Sequence, residues 1–139
     1  MKKILLFCLV ANIICYAQVP ITDSNIRQAV SVWVNNQSIA LEIFGPISEW
    51  DVKNVTDMSN LFFGLDTFND DISDWDVSHV TNMSQMFEGA TSFNQSIGNW
   101  DVGQVTNMSR MFANTEGVIP YGIDYKFNKP LNNWDVSNV

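Results

Sequence analysis

From residue 47 onward the hydrophobic and polar positions recur at a fixed spacing. Trp50, Trp75, Trp100 and Trp134 each open the same Trp-Asp-Val stretch, at intervals of 25, 25 and 34 residues. Residues 50–74 and 75–99 align without gaps at 12 identities in 25 positions, which marks an array of repeated units. Around each tryptophan the period is two: Trp75 and Val77 point one way, Asp74, Asp76 and Ser78 the other. That alternation predicts a short strand buried on one side. Past Val80 the spacing turns helical, with Val80, Met83, Phe87 and Ala90 three, four and three apart. A short helix or 3-10 segment is expected there, with Thr81 as its N-cap and Gly89 at its end. The expected fold is therefore an α/β solenoid, a stack of short parallel strands with short helical segments on the outer side. Trp50, Val52, Trp75, Val77, Trp100, Val102, Trp134 and Val136 form its buried ladder. A leucine-rich-repeat stack and a parallel β-helix both fit this pattern.

The lead into the array differs. Ile26, Ala29, Val30, Trp33 and Val34 fall on one helical face, and Thr22, Asp23 or Ser24 can cap its start. Residues 18–46 are read as an N-terminal cap with a helix at about 23–36, because an array exposes the apolar end of its first coil. Residues 47–139 are the array, with coils starting at Trp50, Trp75 and Trp100 and a partial coil at Trp134. The third coil carries nine extra residues within 116–126, since Phe112 and Phe127 are fifteen apart where Phe87 and Phe93 are six. Insertions of this kind map to surface loops. The chain stops inside the fourth copy, which suggests either a piece of a longer product or self-association through the open C-terminal coil.

Residues 1–17 stand apart. Met1-Lys2-Lys3, the apolar run Ile4 to Cys15 and a closing Ala17 have the layout of a secretory signal peptide, with cleavage expected near Ala17-Gln18. Twelve apolar residues fall short of the roughly 20 that a membrane span needs. Cys8 follows Phe7 and Cys15 follows Ile14, neither the small residue that a lipid anchor prefers, and both cysteines leave with the leader. Without Lys2 and Lys3 the chain holds 5 basic against 15 acidic residues, a net charge of −10. Such a surface repels nucleic acid.

The signature Trp-Asp-Val-Ser-Asn-Val-Thr-Asn-Met-Ser, continued by Met-Phe, Ala, Phe-Asn and Ile, resembles that of BspA-type bacterial leucine-rich-repeat surface proteins. The likeness is to the 25-residue repeat first catalogued in mycoplasma surface lipoproteins. It covers residues 47 to 139, and the lead at 21–46 is similar to the segment preceding such arrays. The resemblance implies a leucine-rich-repeat-like solenoid on an exported protein, with adhesion proposed for relatives and no catalytic residues to carry over. The nine-residue insertion and Gly103, in place of Ser78 and Ser137, depart from the pattern.

Candidate chemistry is sparse. Asp51, Asp76, Asp101 and Asp135 form a ladder on the solvent side, where carboxylates about 4.8 Å apart repel by roughly 0.9 kcal/mol even in water. Two arrangements offset that. Each Asp can accept the backbone N–H two residues on, in an Asx turn; or a cation such as Ca²⁺ can sit between coils, with Asp70, Asp71 and Asp74 nearby. The local turn is preferred, because Ca²⁺ wants six to eight oxygens and no EF-hand loop is present. His79 occupies the slot of Asn54, Gln104 and Asn138 and reads as another polar rung. There is no P-loop or dinucleotide motif. The expectation is an exported or cell-surface binding or adhesion module without cofactor, metal or enzymatic activity. Its face would comprise Glu49, Asp51, Lys53, Asp74, Asp76, Ser78, Asn99, Asp101, Asn133 and Asp135, with Tyr121 and Tyr125 beside it, and its partner an extracellular protein or glycan. The alternative is a structural spacer or assembly element with no ligand of its own.

Overall fold

A computed structural model of the chain describes residues 18–114 and 124–139. Residues 1–17, read above as a signal peptide, and Tyr121 lie outside those residues. Two helices lead: α1 (Ile26–Asn35) and α2 (Gln37–Phe44), followed by a single 3-10 turn at Ile47–Glu49. Helix α1 turns Ile26, Ala29, Val30 and Trp33 into the core, while Val34 remains exposed. Asn36 ends α1 by leaving the helical region (φ −153°, ψ 79°), and its side chain then accepts the Ile39 N–H, capping α2. Gly45, at φ 75°, turns the chain out of α2. Its carbonyl accepts the Trp50 indole N–H at 3.1 Å.

The array overturns the expected parallel-strand solenoid, leucine-rich-repeat stack included. Among the described residues there is no β-strand and no sheet; only isolated parallel bridges form, Asp57 to Asn82 and Asn82 to Asn107. Nor does any helix follow Val80 among the described residues. Both failures have a backbone cause. After each Trp-Asp-Val the chain turns at once, the N–H groups of Val55, Val80 and Val105 closing on Val52, Val77 and Val102 at 2.8–2.9 Å. No extended run is left to pair. In the segment read as helical, alternate N–H groups leave the repeat altogether. Those of Met83, Gln85, Phe87 and Gly89 donate to Asn107, Ser109, Met111 and Ala113. The N–H groups between them, on Met86, Glu88 and Ala90, close turns onto residues three back. A helix needs consecutive bonds to residues four back. Gln85 also sits at φ 57°, like Asn60 (57°) and Arg110 (59°) in the adjacent repeats, a left-handed residue that interrupts any right-handed helix. Tight turns bring every third or fourth residue inward too, which is why the spacing imitated a helix. Thr81 is not an N-cap: its N–H and hydroxyl donate to Thr56 O of the preceding repeat, at 2.8 and 3.2 Å.

Repeats thus lie on one another through turns, and side chains align in columns. Phe62, Phe87 and Phe112 stack at 5.4 and 5.5 Å between ring centroids; Phe68, Phe93 and Phe127 stack at 6.0 Å per step. Each buried ring of this kind contributes about 1.5–3 kcal/mol. The tryptophans form a third column with a polar rule. The indole N–H of Trp75, Trp100 and Trp134 donates to the carbonyl of Ile47, Ile72 and Ile97 respectively, at 2.8–3.2 Å. The recurrent Asn after the second Phe links repeats as well: Asn69 Oδ1 accepts Asn94 N–H, and Asn94 Oδ1 accepts Asn128 N–H. Phe127, Asn128 and Trp134 keep these partners across the nine-residue insertion, so the extra length does not shift the register.

The first repeat has no repeat before it, and two side chains of the lead take that place. In later repeats Thr81 and Thr106 donate their N–H to Thr56 O and Thr81 O. Thr56 donates its N–H to Asp23 Oδ1 (2.8 Å) and its hydroxyl to Asp23 Oδ2 (2.8 Å). Asp57 N–H also reaches Asp23 Oδ1, at 3.0 Å. Ser84 O and Ser109 O accept backbone N–H groups of the preceding repeat; Ser59 O accepts Arg27 Nη2 instead, at 2.9 Å. Asp23 stands in for a missing carbonyl and Arg27 for a missing N–H.

Candidate binding face

The Trp-Asp-Val turns bury their tryptophan and valine and leave the aspartate outside. Trp50, Val52, Trp75, Val77, Trp100 and Val102 are buried. In the last copy Trp134 is half-buried and Val136 is 51 % exposed. Asp51, Asp76, Asp101 and Asp135 are exposed, and each accepts through Oδ1 the backbone N–H two residues on: Lys53 at 3.3 Å, Ser78 at 3.1 Å, Gly103 at 3.1 Å and Ser137 at 3.0 Å. These are Asx turns, and they fix the carboxylate at the mouth of the following β-turn. The Ser78 hydroxyl adds a second bond to Asp76 at 2.6 Å, which Gly103 cannot supply to Asp101. Lys53 Nζ pairs with Asp51 Oδ2 at 2.7 Å.

The electrostatics follow from these partners. The Lys53 ammonium, chiefly, holds the Asp51 carboxyl below its ordinary 3.8, against burial and the like negative charge of Asp76 in the next repeat. The Ser78 hydroxyl and then its N–H lower Asp76, and the Ser137 N–H and hydroxyl lower Asp135. All three therefore carry their negative charge throughout the neutral range. Glu49, Asp74, Asn99 and Asn133 are exposed along the same edge; Asn133 Nδ2 lies 3.5 Å from Asn99 Oδ1, and Ser78 Oγ lies 3.3 Å from His79 Nδ1. Tyr125 does not point outward. Half-buried, it donates its hydroxyl to Ala113 O and accepts Gly89 N–H at 2.7 Å. Burial, chiefly, pushes its phenol above the ordinary 10.

Among the described residues no group of three His, Cys, Asp or Glu side chains is placed to hold a metal ion. The carboxylates of the ladder are spread one per repeat, each with one oxygen committed to its own turn. Nor is any described helix long and apolar enough to cross a membrane.

Three further polar groupings were not picked out by sequence reasoning. A second row of Asx turns runs beside the first: Asp57, Asn82 and Asn107 accept the N–H of Ser59, Ser84 and Ser109 at 2.9–3.1 Å. The recurrent Asp/Asn-Met-Ser was the available signal. The Asp23–Arg27 surrogate pair carries no local signature at all. The third is Glu88, 1 % exposed, which takes both a forked ion pair from Arg110 of the next repeat and the Gln85 amide at 2.9 Å. Its counterparts are Phe63 and Ala113, so it breaks the repeat, and only that break could have flagged it.

Turn-built repeats stacked through their backbone, with an acidic outer edge, define a repeat protein. Residues 28–139 match a family described as "Mycoplasma protein of unknown function, DUF285", and the chain belongs to that family. No curated protein and no solved structure matches it.

Proposed function

We propose that the protein is an exported or cell-surface binding module that engages an extracellular protein or glycan through the edge formed by its Trp-Asp-Val turns. One observation carries this reading. The same carboxylate recurs at the same place in each repeat, pinned by its own backbone, with buried tryptophan and valine holding the turn beneath it. A pinned side chain loses little conformational freedom when it is bound. Several of them in register give many weak contacts of one kind, which suits recognition of a donor-rich or cationic surface. The motif's likeness to BspA-type surface proteins supports placement outside the cell, as does the leader-like sequence of residues 1–17.

The test combines immobilised matrix proteins and a glycan array with the double variant Asp76→Asn/Asp101→Asn. Asparagine keeps the Asx-turn acceptor and removes the charge, so the fold is retained. Binding by the native protein, weakened about tenfold or more in the variant, is the expected result. Silence of the folded native protein on both panels refutes the reading. N-terminal mass analysis of the secreted form, with Gln18 as first residue, tests export.

A further inference from the structure

The segment that follows each second turn lies in register from repeat to repeat. Ser92 N–H donates to Asp66 O and Lys126 N–H to Thr91 O, both at 3.0 Å, and Phe68, Phe93 and Phe127 stack beneath at 6.0 Å per step. The charge changes sign along this strip. The first repeat places Asp66 and Asp70 on it, the second the neutral Ser92 and Gln95, and the third Lys126 and Lys129. Lys129 occupies the position of Asp70, the same site with opposite charge, and Lys126 occupies that of the neutral Thr67 next to Asp66. Two stacking steps separate the ends, and no ion pair among the described residues joins them. Beside the acidic end, between the close of α1 and the first repeat, opens a groove of about 460 Å³ lined by Trp33, Leu65, Asp66, Phe68 and Asp70. One Asp70 oxygen is held by the Trp33 indole at 2.9 Å.

We infer that this strip is a self-complementary interface through which two copies of the chain associate side by side and antiparallel. A two-fold axis through the neutral second repeat brings the acidic end of each copy against the basic end of the other, which is the isologous condition: residue i meets j, and j meets i. The partner's lysine would lay its aliphatic stem along Leu65 and Phe68 in the groove, with its ammonium between Asp66 and Asp70. Nothing here depends on the Trp-Asp-Val edge, so the two proposals stand or fall separately. Contacts of this type are exposed and screened by salt. The pair is therefore a weak one, with a dissociation constant in the range of about 0.1–1 mM.

Sedimentation equilibrium of the full chain, up to about 1 mM and at salt of about 0.02 M and 0.5 M, is the measurement. Dimers at low salt that dissociate at high salt are expected. Two variants sharpen it: Lys126→Glu/Lys129→Glu makes both ends acidic, and Asp66→Lys/Asp70→Asn makes both ends basic or neutral while keeping an acceptor for Trp33. Each alone should weaken self-association about tenfold, and an equimolar mixture should form heterodimers. Circular dichroism and the urea midpoint establish that both variants are folded. A monomeric native chain at the highest concentration, association unchanged by charge reversal, or a mixture that stays monomeric would each overturn the proposal. Capture of a basic peptide by monomeric chains would assign the groove to a different partner and equally sink the dimer.

Discussion

Replacing Asp23 by alanine tests whether a side chain substitutes for a whole missing repeat. Asp23 accepts two backbone N–H groups, Thr56 and Asp57 at 2.8 and 3.0 Å, and the Thr56 hydroxyl at 2.8 Å. The closest chemical analogue is a helix N-cap, where losing one such acceptor costs about 0.5–2 kcal/mol. Two N–H groups are orphaned here, but this edge is exposed and water partly replaces the carboxylate. The expected loss is about 1–2 kcal/mol, a drop of roughly 3–6 °C in Tm for a domain of this size. Urea titration should show a lower midpoint with an unchanged slope, since the surface exposed on unfolding is the same. The pH dependence is the sharper signature. Burial pushes the Asp23 carboxyl up, but the Asp57 and Thr56 N–H groups, the Thr56 hydroxyl and the Arg27 charge outweigh it and hold it below 3.8. A carboxyl depressed in the folded state stabilises fully above its unfolded pKa, and loses that contribution as pH falls through the folded value. The gap between native protein and Asp23→Ala should thus be constant from pH 7 to about 5 and close below about 4. Asp23→Asn, which keeps one acceptor oxygen, should retain part of the stability with a flatter pH response. An alanine variant as stable as the native chain at pH 7, or a gap that does not narrow as pH falls below about 4, would refute the surrogate role.

Other substitutions probe the repeats themselves. Trp75→Ala should cost about 3–5 kcal/mol; Trp75→Phe, which mainly removes the N–H bond to Ile47 O, about 1 kcal/mol beyond any packing loss, both read from urea midpoints. Asn60, exposed and at φ 57°, should tolerate glycine within about 0.5 kcal/mol but lose roughly 1–2 kcal/mol as valine, because a β-branched side chain resists the left-handed region. Tyr125→Phe removes the hydroxyl linking Gly89 N–H and Ala113 O, an expected loss of about 1–2 kcal/mol by thermal melting. A phenol raised in the folded state stabilises below its unfolded pKa and loses that contribution as pH rises through the folded value, so the difference between native and Tyr125→Phe should shrink above pH 10. Absorbance titration should show Tyr125 ionising above the ordinary 10.

The apolar positions were legible because burial is a property of single side chains. Trp75, Val77, Val80, Met83, Phe87 and Ala90, picked out by spacing alone, are all buried. The backbone they hang on was not legible, because two different paths place the same residues inside. Period two around Trp75 fits a strand, but equally fits a turn whose corner residue, Asp76, faces out. What separates the two is the destination of the Ser78 and Val80 N–H groups, to Asp76 Oδ1 and Val77 O. Asp-Val-Ser carried that information, and the Asx turn drawn from it already conflicts with an extended strand at the same residues. The helical spacing past Val80 failed on one residue per repeat. Asn60 alone hints at a left-handed position; Gln85 and Arg110, which share it, do not.

The contrast between fixed and free positions in each repeat says where a specific function can reside. The groups that close and stack the turns barely vary: Asp76 and Asp101, Asn82 and Asn107, the Trp indoles, Asn69 and Asn94. Substituting any of them leaves a backbone donor or acceptor unmet at every copy it touches, so they cannot diverge without a local stability cost of about 1 kcal/mol or more. The positions that do differ are less bound by this, although the Gln95 amide still donates to Asn69 O at 2.6 Å. Phe63, Glu88 and Ala113 are one set, Asn60, Gln85 and Arg110 another, and Asp70, Gln95 and Lys129 a third. In all three sets the differences are coordinated between repeats. Glu88 receives Arg110 and Gln85 from the second set, and Asp70 and Lys129 carry opposite charges at the two ends of one strip. An array free only to repeat would put the same residue at each of these places. Recognition that reads the array as more than a uniform acidic edge must therefore use these variable positions, and the charge strip is the one among them that faces outward with a complement.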